Sequence, residues 1–513
     1  KEGSDGPVRA SIKVGNRSLG RERSYRVATN DYLAYGGDGW TQFGRGQGPR
    51  SIGREVYEVT VEGIRGENLA DSITAALRAS SFEQTGNLRQ RWVSLLGLLV
   101  LVGLGYLLSI ARNRIRLRPL LWGTILQVIL ALLILQTRPG RLVFDWAKAA
   151  FQKILDFSIQ GSKFVFGPLA DLGISGEIFG VENAFIFAFQ VAGTIILVSS
   201  LTAILYHLGV MQAIVWVMAK VMQFTMRTSG AESLATAANV FIGQTEAPLV
   251  VRPYLAGMTA SEIMALMTGG MATVAGGVLA AYVSFGIDAG HLLAASVMSA
   301  PAALALAKLM VPETEHSQTA ADVPFEMRRT SANILDAACR GASDGLKLAI
   351  NVMAMLIAFI SLVHLVNFLL DGGYQIFHDR LTAGGTQPMK IPDHISLEGI
   401  LGWILAPIAW LLGIPWREAT EVGSLLGVKM VLNEFVAYLQ LAGMSEKISP
   451  RSFGIATYAL CGFANFSSIA IQIGGISALE QGIRPQLARH GLRAMLGGTL
   501  AARMTAALAG VLL

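Results

Sequence analysis

Charge is what this sequence has least of. Only 15% of its 513 residues are Asp, Glu, Lys or Arg, whereas 52% are hydrophobic. Soluble domains carry roughly 25% charged residues, so the chain lacks the side chains that would cover a water-facing surface of this size. Cysteine is nearly missing. Cys339 and Cys461 lie in or near apolar segments, which excludes a disulfide framework or a zinc-type ligand spacing. There is no signal peptide, and the first residue is Lys1 rather than Met, as in a trimmed, processed or fragmentary chain. The formal net charge of +6 comes mainly from Arg in short loops, which suits membrane orientation and argues against a nucleic-acid partner.

What is abundant is long apolar sequence. A helix crosses the hydrocarbon core with about 20 apolar residues. Such runs lie at 92–110, 119–136, 185–207, 260–285, 289–311, 346–370, 451–473 and 491–513. They predict an all-α polytopic membrane protein with about eight transmembrane helices. Residues 143–160, 208–226 and 396–413 are apolar but interrupted, and read as helices in the interface plane, full spans being the other reading. Three loops collect the cations: Arg112, Arg114, Arg116 and Arg118; then Arg328, Arg329, Arg340 and Lys347; then Arg484 and Arg489, with Arg493 just beyond. Placing all three in the cytoplasm puts both termini on the periplasmic or extracellular side.

Two halves of the chain look alike. Gln244-Thr245-Glu246 precedes Leu255-Ala256-Gly257-Met258 and a span containing Thr273; Asn433-Glu434 precedes Leu441-Ala442-Gly443-Met444 and a span containing Asn465 and Ser468. The shared order predicts an inverted internal repeat, a recurrent build of secondary transporters with substrate bound near the midplane. An ionisable Glu246 in an apolar run is costly at membrane depth unless protein or water satisfies it. Gly243 and Pro248 bracket it, so 237–254 is expected to enter and return as a re-entrant hairpin lining a cavity; an interhelical Glu pair is the structural alternative. Asn433 and Glu434 mark a second hairpin. Asn465 and Ser468, three apart, are expected on the same side of a polar-interrupted helix, as site residues or as interhelical glue. No Arg or Lys occurs in these segments until Arg252 and Lys429 at their edges, which disfavours an anionic substrate.

GQTEAPLVVRPYL, MTGGMATVAGGVLAAYVSFG, ASVMSAPAALALAKLMVPETE, LNEFVAY and GFANFSSIAIQIGG together resemble the signature segments of concentrative nucleoside transporters, in that family's order, from about Leu88 onward. The resemblance implies a homotrimer in the inner membrane, each protomer with a scaffold part and a mobile transport part. It implies import of nucleosides by cation symport with elevator-like movement. It assigns the base to Gln244, Thr245 and Glu246 with Val278 alongside, and the ribose to Glu434, Asn465 and Ser468 with Phe463 nearby. It assigns Na⁺ to Asn239, Thr273 and the carbonyls of Ile242 and Val274. Na⁺ is favoured over H⁺, because the 268–281 segment offers oxygen ligands without a further acidic group; a proton mechanism would use Glu246 or Glu434.

Residues 24–40, SYRVATNDYLAYGGDGW, resemble the C-terminal substrate-binding domain of 5′-nucleotidases, which implies a small α+β fragment with Tyr32 stacking on a base and Asp38 binding ribose. No histidine precedes His207, so the dinuclear metal site of such enzymes is missing and no enzymatic activity is expected. The resulting organisation is 1–86 nucleotidase-like, 87–230 scaffold, 231–311 first transport repeat, 312–412 connector with a scaffold and an interfacial helix, and 413–513 second transport repeat. A membrane-anchored nucleotide-processing fusion, or a truncated nucleotidase fused to the transporter, is the alternative function.

Overall fold

The computed structural model describes residues 88–179, 186–319, 331–382 and 395–513, with five strands further upstream. It divides into two compact units, Lys1–Gln84 and Thr85–Leu513. In the first unit, β1 (Lys13–Val14) pairs antiparallel with β2 (Arg17–Ser18). β3 (Tyr25–Thr29), β4 (Gln47–Ser51) and β5 (Tyr57–Val61) form an antiparallel sheet in the order β3-β5-β4, with Val27 opposite Val59. The central strand, YEVTV, has the aromatic and β-branched content that a pleated surface favours. The helical part of the expected α+β fragment falls outside the described residues.

The described residues of the second unit are helical, without a strand. α1 (Leu88–Leu107) and α2 (Leu117–Gln136) are long and apolar. α3 (Arg138–Phe166) is amphipathic; the Thr137 hydroxyl accepts from the Gly140 N–H at its start. α4 (Leu172–Phe179), α5 (Phe187–His207) and α6 (Val210–Met226) follow. Then come α7 (Gly230–Ile242), the single turn α8 (Ala247–Val250), α9 (Ala260–Ala272), α10 (Gly276–Ser284) and α11 (Ala289–Met310). α12 (Ile334–Thr382) has 49 residues and starts well upstream of the 346–370 run. The chain closes with α13 (Leu397–Leu411), α14 (Trp416–Val431), α15 (Glu434–Ala442), α16 (Pro450–Leu460), α17 (Phe466–Leu479) and α18 (Arg484–Leu512).

Among the described residues, seven helices or near-continuous helix pairs have the length and apolarity to cross a bilayer, or eight if α13 and α14, bent by 116°, count as one broken span. The expected span 451–473 is not one helix, because α16 stops at Leu460 and α17 starts at Phe466. The expected span 260–285 is likewise interrupted, between α9 and α10.

Burial separates two layers. The apolar windows of α9–α10, α11 and α18 are 83%, 89% and 83% buried, against 28%, 28%, 33% and 17% for α1, α2, α5 and α12. The inner helices are therefore covered by protein, while the outer four present apolar side chains outward. Small residues permit that inner packing: a side chain at Gly498 would meet Met271, and one at Gly123 would meet Ala305 and Pro301. Thr505 on α18 ties the layers, accepting from Gln127 on α2 at 2.8 Å and meeting Ser299 on α11 at 3.0 Å.

Candidate functional site

Two helix starts fix the first hairpin. Ser229 caps α7 and Thr259 caps α9, each in a reciprocal box with a glutamate three residues on, Glu232 and Glu262. Glu232 also meets Lys308, near the end of α11, at 2.6 Å, both side chains being buried. Glu262 accepts from Ser317 and Thr319, each at 2.6 Å. With its start so anchored, α7 runs to Ile242 and stops because Gly243 takes φ +84°, open to glycine at no steric cost. Gln244, Thr245 and Glu246 form the turn, and Pro248 opens α8.

The second hairpin follows the same order. α14 ends at Val431, and the Asn433 side chain caps α15 by accepting from Val436 N–H at 3.0 Å. Glu434 is thus the first residue of α15, where the helix dipole favours a carboxylate. One carboxylate oxygen accepts from Asn465 Nδ2 at 2.8 Å and the other from the Tyr282 hydroxyl of α10 at 3.3 Å.

A chain of polar side chains joins the two hairpins. Asn465 Oδ1 accepts from Ser468 N–H at 2.9 Å. Ser468 Oγ accepts from Gln244 Nε2 at 3.1 Å, and Gln244 Oε1 accepts from Gln472 Nε2 at 3.0 Å. Gln244, Glu434, Asn465 and Ser468 are therefore brought together, all buried. Thr245 lies close to α17, its methyl 3.8 Å from where a Cβ on Gly475 would stand. Thr245 and Glu246 are exposed at the turn. Val278 is buried on α10, one helical turn before Tyr282, and Phe463 is buried in the break between α16 and α17. Tyr32 and Asp38 lie outside the described residues.

Two sequence expectations change. Asn465 and Ser468 do not share a helix face: Asn465 is the N-cap of α17, and its spacing from Ser468 is that of a cap to the backbone N–H it satisfies. Lys429 is not at an edge; it is buried in the last turn of α14, and its ammonium donates to the carbonyls of Ala459 and Cys461. Two participants went unmarked. Gln472 lies four residues after Ser468 in the same apolar stretch, so i,i+4 spacing was the available signal. Tyr282 gave none, since a tyrosine in an apolar helix usually reads as core.

A second group of buried oxygens lies beside this chain. α7 and α9 both end there, and the last carbonyls of a helix lack intrahelical partners and carry its negative dipole end. Thr273 Oγ1 donates to the Asn239 carbonyl at 3.0 Å and to the Gly269 carbonyl at 2.9 Å, tying the two ends. Asn239, Thr273, Val274 and Ile242 are buried, and Asn239 Oδ1 has no hydrogen-bond partner. An orphaned buried amide oxygen beside helix C-termini fits a hard cation taking oxygen ligands. Among the described residues no cluster of three or more His, Cys, Asp or Glu exists that would hold a transition metal. The two sites adjoin at Gly270, where a Cβ would stand 2.7 Å from Gln472 Nε2 and 3.2 Å from Asn239 Oδ1. A separate cavity of about 500 Å³ between α3, α5 and the α10–α11 turn contains none of the expected site residues.

Profiles for the Na⁺ dependent nucleoside transporter N-terminus, for a nucleoside-recognition segment, and for the Na⁺ dependent nucleoside transporter C-terminus match residues 96–169, 188–289 and 291–510. YutK, an uncharacterized transporter of Bacillus subtilis, is 42% identical over 418 residues, which cover 81% of this chain and 98% of that protein. Solute carrier family 28 member 3 of Mus musculus is 40% identical over 440 residues, 83% of this chain and 59% of its own length. Sodium/nucleoside cotransporter 1 of Rattus norvegicus is 39% identical over 439 residues, 82% of this chain and 64% of its own. Among solved structures, CNTnw in an inward-facing substrate-bound state superposes with a TM-score of 0.75 at 40% identity, covering 82% of this chain and 97% of that one. A doubly substituted CNTnw in an outward-facing state gives 0.76 at 39% identity, with 82% and 97% covered.

Proposed function

We propose, from the premise that this chain belongs to the Na⁺-dependent nucleoside transporter family, that it is a symporter importing nucleosides across the inner membrane on a Na⁺ gradient. The observation that carries the reading is the hydrogen-bonded chain Gln244–Ser468–Asn465–Glu434, beside the orphaned Asn239 oxygen. Its amides, hydroxyls and single carboxylate suit a neutral solute with ribose hydroxyls and a planar hydrogen-bonding ring. Glu434 with Asn465 and Ser468 takes the ribose, with Phe463 packing nearby. Gln244, Thr245 and Glu246, with Val278, take the base. Na⁺ is held by Asn239 Oδ1, the Thr273 hydroxyl and the carbonyls of Ile242 and Val274, where it supplies positive charge that draws the two helix ends together. Lys429 has its ammonium engaged with backbone, so it is not free to meet a phosphate.

In each half a hairpin precedes a broken helix and a long helix, α7 to α11 and α14 to α18. This order supports two inverted repeats whose hairpins are re-entrant, moving as one part against an outer scaffold in an elevator-like step. Relatives of this chain are cotransporters rather than enzymes, and CNTnw has been captured facing outward and inward. A homotrimer, α3, α6 and α13 lying in the interface plane of the membrane, both termini outside, and the nucleotidase-like segment at 1–86 complete the proposal.

The test is uptake of labelled uridine into proteoliposomes. An inward Na⁺ gradient should concentrate uridine above equilibrium, and dissipating it should end accumulation. Accumulation driven equally well by a proton gradient alone would remove Na⁺ from the mechanism; no uridine entry under any gradient would remove the nucleoside reading.

A further inference from the structure

The first repeat brings together the C-terminus of a hairpin helix and the C-terminus of a broken helix, α7 with α9, and leaves an oxygen there without a partner. The second repeat brings together the matching ends, α14 with α16. By the same helix-end argument that place is also electronegative. Here the oxygens are not vacant. Lys429 sits in the last turn of α14, 3% exposed, and its ammonium donates to the Ala459 carbonyl at 3.1 Å and to the Cys461 carbonyl at 2.9 Å. Cys461 is the C-cap of α16, as Thr273 is the C-cap of α9.

The two places also touch. Gly462, at φ +100°, presses against the α9 end so closely that a Cβ would lie 2.6 Å from the Met271 carbonyl oxygen and 2.7 Å from the Ala272 carbonyl carbon. A buried ammonium is far more costly than a methylene of the same length unless its charge answers a local need. Carbonyls from a helix end supply that need, and they are the ligand type that a hard monovalent cation takes.

We infer that the Lys429 ammonium is a covalently attached cation at the second repeat's counterpart of the sodium site, so that the transporter carries one Na⁺ per nucleoside and the second place never exchanges its ion. The inference rests on cation coupling at the first repeat and goes beyond it by fixing the number of transported ions. It predicts that shortening the side chain converts the second place into an exchangeable site for Na⁺ or a small alkylammonium ion.

The primary measurement uses the unmodified chain: the ratio of ²²Na⁺ to ³H-uridine entering proteoliposomes. A ratio of one is expected, and a ratio of two overturns the inference. The Lys429→Ala variant should lose uptake at low Na⁺, recover it at high Na⁺ or with added methylammonium, and show a Hill coefficient rising from about 1 toward about 2. Lys429→Met, whose side chain still fills the space, should stay inactive under all these conditions. Retention of the wild-type Na⁺ dependence in Lys429→Ala, or inactivity unrelieved by either ion in a variant that elutes and melts like wild type, overturns the inference. Na⁺-dependent melting of the purified proteins reads the same ion count without transport, so failure of uridine uptake sinks the nucleoside reading and leaves this one separately decided.

Discussion

At the scale of single residues, Glu434 carries the sharpest expectation. Its carboxylate stands at a helix N-terminus and accepts from Asn465 and Tyr282, so it is held in place and aimed. Glu434→Gln keeps the shape and removes the charge. A hydrogen bond to a charged group contributes about 1.5–3 kcal/mol, so uridine uptake at low substrate should fall about 10-fold or more. Initial rates against uridine concentration check this; unchanged rates would take the carboxylate out of the pocket. Glu434, Gln244 and Ser468 were legible because polar groups in apolar runs are conspicuous. The role of Asn465 was not. Capping depends on where a helix begins, and apolar residues flank FANFSS on both sides, so hydropathy does not mark the start of α17.

Helices were easier to find than their interruptions. The span 260–285 reads as continuous because Thr273-Val274-Ala275 is as apolar as its surroundings, yet it is where α9 gives way to α10. Gly243 and Pro248 did betray the break after α7, since both stop helices for local reasons. What no local pattern shows is the anchoring of that hairpin by Glu232 and Lys308, whose side chains are 76 residues apart in sequence yet 2.6 Å apart in space, 1% and 9% exposed. Lys308 also donates to Ser261 at 3.0 Å, so α7, α9 and α11 meet there. Lys308→Met should strand a buried carboxylate and destabilise by about 3–5 kcal/mol, whereas pairing it with Glu232→Gln should restore much of the loss. Melting temperatures in detergent decide it: a double variant no more stable than Lys308→Met alone would mean the pair does not act as a unit.

At the scale of the molecule, the two compact units differ in kind. Lys1–Gln84 contributes short strands, while Thr85–Leu513 contains the chain of polar side chains, the orphaned Asn239 oxygen and the protein-covered inner helices. Every residue of the polar chain lies in the second unit, and the matched transporter profiles begin at residue 96. Membrane orientation should also survive loss of the first unit, because the arginines at 112–118, immediately after α1, set the side of the first short loop. A chain beginning at Thr85 is therefore expected to insert in the same sense and to accumulate uridine on a Na⁺ gradient at a rate comparable with the full chain. The comparison needs equal amounts of reconstituted protein and a protease-accessibility check of orientation. If the shortened chain inserts correctly but no longer transports, the strands of the first unit are part of the transporter. If both chains import uridine, labelled uridine monophosphate supplied outside then asks what those strands add: label entering only through the full chain would give the first unit a part in preparing substrate, and equal exclusion from both would leave it without one.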